Sequence, residues 1–135
     1  MIRILADNNA EGHVRVLLRI LLGEAWIEFW NELEVTVVTF EEIGLDRDSN
    51  DAELWHACQH EQIVLITNNR NAKGPESLEA VVRGQNQPDS LPVFTLASAE
   101  RLRSNRSYAE KTAERLLEYL AFLDEIRGAG RIYLP

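Results

Sequence analysis

The chain has 135 residues, a formal net charge of −8 and an isoelectric point near 4.9. That length fits one domain, residues 1–135, large enough to bury a single hydrophobic core. Apolar residues make up 45% and charged residues 27%, and there is one cysteine, which together argue against a disordered chain or a disulfide framework. No apolar run approaches the ~18 residues that span a bilayer, so no membrane segment is expected. The first apolar stretch is too short for a signal peptide, which makes a cytoplasmic setting the default. The acidic balance opposes broad attraction to a polyanion, because phosphate affinity comes largely from Lys and Arg. An RNA partner would need a local basic patch; a basic protein partner fits at least as easily.

Ile2 to Ala6 is a short apolar run that reads as a buried strand ending at Asp7. Asn8 or Asn9 then caps a helix in which Val14, Leu17, Leu18 and Leu21 repeat at helical spacing, and Gly23 closes it. Glu24 to Glu32 reads as a second short helix carrying Trp26, Phe29 and Trp30. The β-branched run from Val35 to Phe40 is the second strand. A polar loop follows, and Asn50 with Glu53 forms a capping-box pattern opening a helix from Asp51 to about Glu61. Ile63 to Thr67 is the third strand, Asn68 to Pro75 a loop, and Glu76 to Arg83 a short helix. Val93 to Leu96 is the fourth strand. The longest helix runs from about Tyr108 to Arg127, with Leu116, Leu117, Leu120 and Leu123 inward, and ends at Gly128 and Gly130. Arg131 to Pro135 is an extended tail or an edge strand. Strands alternating with helices predict an α/β fold, three layers α/β/α, around a mainly parallel sheet of four to five strands.

In such a sheet, ligands bind outside the carboxyl ends of the strands. Those ends carry Asp7, Phe40 with Glu41, Thr67-Asn68-Asn69, and Ala97-Ser98. At about 100° per residue, Asp51 shares a helix face with Leu54, Trp55 and Cys58, while Glu53, His56 and His60 lie opposite. Asp51 is thus expected to turn inward on the same side of the sheet as Asp7, and two converging carboxylates can hold a hard divalent cation. The plainer alternative is that Asp51 serves its helix dipole and Asp7 caps the next helix.

These stretches resemble the PIN-like domains, particularly the short stand-alone bacterial group. The matching residues are Asp7-Asn8-Asn9, then Gly44-Leu45 with Asp51 to Ala57, then Val64 to Asn71 with its Thr67-Asn68-Asn69 core. The likeness covers residues 1 to about 97. It implies metal-dependent phosphodiester hydrolysis, with Mg²⁺ or Mn²⁺ held by Asp7, Asp51, Asn69 and Asn71. Asp7 and Asp51 take the catalytic role, and Asn8, Asn9, Thr67 and Asn68 support them. Many relatives are RNA-cutting toxins paired with an antitoxin protein. The chain departs from the family pattern at Asn8, Asn69 and Asn71, where carboxylates are expected. An amide oxygen coordinates a cation but brings no charge, so Mg²⁺ should bind weakly. Two readings follow: a Mg²⁺-dependent ribonuclease of the toxin–antitoxin type with a depleted acidic site, or an inactive PIN-like domain that binds RNA or an antitoxin-like protein.

Other signals are weaker. Arg70 and Lys73 after the third strand, and Arg101, Arg103 and Arg106 after the fourth, start from carboxyl ends of strands and could clamp a phosphate backbone; a solvated charge run is the plainer reading. His56 and His60 have zinc-compatible spacing but no third ligand. Cys58 reads as a small buried hydrophobe. Trp26, Phe29 and Trp30 read either as core or as the surface of a homodimer or partner complex.

Overall fold

The computed structural model describes residues 1–69, 74 and 77–135. Five strands, β1 (Ile2–Ala6), β2 (Val35–Val38), β3 (Ile63–Thr67), β4 (Val93–Leu96) and β5 (Arg131–Leu134), form one all-parallel sheet in the order β2-β1-β3-β4-β5. The helices are α1 (Glu11–Leu21), α2 (Ile27–Leu33), α3 (Asp51–Glu61), α4 (Leu78–Gln85), α5 (Ala99–Ser104) and α6 (Arg106–Ala121). The expected α/β/α architecture with a parallel central sheet is therefore present. No helix among the described residues is long and apolar enough to cross a membrane.

The period of two along each strand divides the core. Ile4, Ala6, Val64, Ile66, Phe94, Leu96 and Leu134 face one side and pack with α1 and α6. Leu5, Val38, Ile63, Leu65 and Val93 face the other and pack with α3 and α4. Every residue of β3 and β4 is buried, as expected for strands covered on both faces.

The connections differ in hand. From β1 to β2 the chain passes over the α1 face; from β2 to β3 and from β3 to β4 it moves the opposite way over the α3/α4 face. A reversed direction over a reversed face keeps the hand, so these three crossovers agree, and the general rule makes them right-handed. From β4 to β5 the direction is unchanged, but α5 and α6 lie on the α1 face. This final crossover has the opposite hand. α6 is needed there: its stripe of Ala109, Ala113, Leu116, Leu117 and Leu120 joins α1 in covering Phe94 and Leu96.

Several boundaries move from the sequence reading. Asp7, rather than Asn8 or Asn9, caps the first turn, a 3-10 turn at Asn8–Ala10, and α1 starts at Glu11. The predicted second helix shifts to Ile27–Leu33, with Trp26 before it. β2 stops at Val38 because the Thr39 N–H and hydroxyl turn to Glu42 Oε1, both at 3.1 Å, and Phe40 enters the α3 side of the core. The capping box at Asn50 and Glu53 is formed as read. α4 begins after Ser77, whose hydroxyl accepts from Ala80 N–H; Glu76 lies outside the described residues. The run holding Arg101 and Arg103 is itself a helix, α5, and the long helix is Arg106–Ala121 followed by a 3-10 turn at Leu123–Ile126. The Arg131 tail is an edge strand.

Candidate functional site

The order of the sheet reverses at β1, and the crevice beyond the carboxyl ends of β1 and β3 is where a fold of this order binds ligands. Ala6 stands opposite Ile66, which places Asp7 beside Thr67. Thr67 stands opposite Thr95, and Thr95 opposite Tyr133. By alternation from Leu65 and Val93, this polar row faces the α3/α4 side.

A chain of hydrogen bonds runs through it. The Thr67 hydroxyl donates to Asp7 Oδ2 at 3.0 Å and accepts from the Asn69 N–H at 2.9 Å. The Asn69 side-chain amide donates to Asp51 Oδ2 at 2.9 Å, and that same oxygen accepts the Leu78 N–H of α4 at 3.1 Å. Asp7 Oδ1 accepts from the Asn8 N–H at 2.7 Å. So three distant stretches, Asp7, Asp51 and Thr67 with Asn69, meet at one point, as the spacing predicts. Thr67 is fully buried, and its hydroxyl is satisfied in both directions.

Burial pushes the Asp7 carboxyl above its ordinary value; the bonds from Thr67 and Asn8 pull it back, and the nearby Asp51 and Glu11 carboxylates add to the rise. The native state therefore holds this proton to a higher pH than the unfolded chain does. Ionising Asp7 costs stability that is intact below the unfolded value of about 3.9 and lost above the folded one. Urea unfolding between about pH 4 and pH 7 should show Asp7→Asn gaining on the wild type as pH rises. With the partial exposure of the carboxylate, the gain at neutral pH should be on the order of 0.5 kcal/mol. A difference that stayed constant with pH would rule out burial as the controlling influence.

No family model, curated protein or solved structure matches this chain.

The remaining expected site residues divide as follows. Asn8 is drawn away from the crevice: its amide donates to Arg47 O at 2.8 Å, and Arg47 donates back to Asn8 Oδ1 at 2.7 Å. Arg47 also pairs with Glu11 and Glu41 and lies 5.1 Å over the Phe40 ring. Asn68 donates to Asn9 O at 3.2 Å, tying the ends of β1 and β3 together. Asn71, Arg70 and Lys73 lie outside the described residues. Arg101 stacks over Tyr108 at 4.3 Å, Arg106 pairs with Glu110, and Arg103 is exposed.

One residue was missed by the sequence reading. Arg131 of β5 has a side chain only 6% exposed. Its Nη1 donates to Asn69 O at 2.7 Å and to the Thr95 hydroxyl at 3.1 Å, and its Nε lies 3.2 Å from Glu79. Arg131 thus fixes the Asn69 corner from the sheet edge. The only sequence signal was a lone arginine in a run otherwise fit for a strand.

The resemblance implies Mg²⁺ or Mn²⁺ here, so the donor set can be tested for fit. Asp51 Oδ2 already accepts two N–H groups, Asp7 Oδ1 accepts the Asn8 N–H and Asp7 Oδ2 the Thr67 hydroxyl. Asp51 stands at the first turn of α3 and binds the first turn of α4, and the positive ends of both helices favour an anion over a cation. Among the described residues no three His, Cys, Asp or Glu side chains are placed to hold a metal ion. Among the described residues, then, Asp7 and Asp51 bring two carboxylates, both already hydrogen-bonded, to a role for which Mg²⁺ calls for octahedral oxygen ligation.

Outside the crevice, His56 and His60 are exposed on α3 as read. Cys58 is buried, and burial together with the Asp7 charge pushes its thiol up to about 12. That leaves it an inert core residue. The aromatic cluster is split: Trp30 is 6% exposed in the core, Trp26 packs partly against it, and Phe29 is 58% exposed.

Proposed function

We propose that this chain is a PIN-like domain working as a protein-binding module, with phosphodiester hydrolysis lost or much reduced. The carrying observation is that Asp51, which with Asp7 supplies the carboxylates of this hydrogen-bonded chain among the described residues, is bonded by the Asn69 amide and the Leu78 N–H. Asn69 stands where the family pattern expects a carboxylate, so a donor has replaced a ligand. Charge favours a protein over RNA. The net charge is −8, and among the described residues the two arginines bonded to Asn8 and Asn69, Arg47 and Arg131, also engage internal carboxylates. A cytoplasmic setting, with an antitoxin-like protein as the partner class, belongs to this reading.

Incubation with single-stranded RNA in Mg²⁺ or Mn²⁺ should give no cleavage above a protein-free control, and Asp7→Asn should behave like the wild type. Metal-dependent cleavage that disappears in Asp7→Asn would overturn the reading and restore the ribonuclease.

A further inference from the structure

β2 is an open edge of the sheet. Among the described residues its outer N–H and C=O groups have no strand partner, and such an edge is a template for an added strand. Between β2 and α1 lies a cavity of about 110 Å³. Its apolar side chains are Val14 and Leu18 of α1 and Val37 of β2; Val38 and Phe40 also border it, with their side chains in the α3/α4 core. Val37 is 36% exposed there, because α1 covers β1 and stops short of the outer strand. The volume is somewhat below the ~150 Å³ that admits benzene in an apolar cavity, so it suits one branched aliphatic side chain.

The charges at its mouth are selective. Glu11 and Arg47 line it but are paired with each other. Arg15 also lines it, is exposed, and makes no ion pair or hydrogen bond with any described residue. In an acidic chain such a guanidinium lacks one thing, a carboxylate from elsewhere.

We propose that this groove receives the C-terminal end of an extended peptide from a protein partner. The peptide backbone pairs with the edge of β2, its last aliphatic side chain fills the cavity, and its terminal carboxylate meets Arg15. This rests on the reading of the chain as a protein-binding module. The open edge supplies backbone affinity, the cavity selects the side chain, and Arg15 selects a free end over an internal segment.

The test is an NMR titration of the full chain with the pentapeptide acetyl-Thr-Val-Thr-Val-Leu as free acid and as C-terminal amide. The free acid should shift the Val35–Val38 amides saturably, and the amide should bind at least about tenfold more weakly. Arg15→Gln should lower the free acid to the level of the amide and leave the amide unchanged, the non-additivity expected of a direct pair. Arg19→Gln, exposed one turn further along α1, should change nothing. Leu18→Trp should fill the cavity and abolish binding of both peptides, with a thermal melt confirming that the fold is kept. Equal binding of acid and amide, or no saturable shift at β2 up to about 1 mM peptide, overturns the proposal. Neither result bears on RNA cleavage, so failure of the groove and failure of the module reading are read from separate assays.

Discussion

Trp30→Ala should lower the melting temperature by about 10–20 °C, the equivalent of about 3–5 kcal/mol for deleting a buried indole. Trp30 is 6% exposed and joins the α1/α6 core from α2, a helix of seven residues. So short a helix has little stability of its own and is held by its packing. Removing Trp30 leaves a large cavity and takes the main anchor of α2. Phe29→Ala, one residue earlier and 58% exposed, should stay within about 0.5 kcal/mol. Thermal melts with oligomer mass measured alongside check both. A Trp30→Ala variant that kept its melting temperature but lost a dimer would make Trp30 an interface anchor instead.

Arg131→Ala should cost about 2–3 kcal/mol in chemical denaturation. The change removes the donor to Asn69 O and the Thr95 hydroxyl and takes one of two cations from the Glu79 carboxylate, which keeps Arg83. The double variant Arg131→Met with Glu79→Leu should recover part of the loss, since an apolar pair of similar volume avoids the desolvation of a broken ion pair. Backbone NMR should show the Asn69 amide moving in Arg131→Ala while β1 and β2 stay put. A cost below about 0.5 kcal/mol would mean that the Asn69 corner holds without Arg131.

The crevice was legible because its parts obey local periodicities. Strands that end in Asp7 and Thr67 are visible as apolar runs, and the inward turn of Asp51 follows from its spacing to Leu54, Trp55 and Cys58. A parallel sheet then brings carboxyl ends together whatever the strand order. What escaped was set by tertiary partners. Asn8 turns to Arg47, 39 residues away, and no local pattern announces that bond. α5 hides because one buried residue, Leu102, cannot display a period. β2 read two residues long because Thr39 and Phe40 are good strand formers, and only the Glu42 carboxylate and the α3-side core divert them. Arg131 depends on the register of an edge strand against β4, which sets where its long side chain reaches.

The reversed hand of the β4-to-β5 crossover has a consequence for how long the crevice stays assembled. β5 has one strand neighbour, and the helices that deliver it lie on the face away from Asp51. Opening β5 while β1 and β3 remain paired breaks its ladder with β4, the burial of Leu134 and the Thr112 hydroxyl bond to Pro135 O, a local step short of global unfolding. When β5 opens, Arg131 goes with it, and Asn69 loses the tether on its carbonyl. The lifetime of an intact Asp51 corner is then governed by a peripheral latch, and anything that clamps or frays that latch reaches the middle of the molecule.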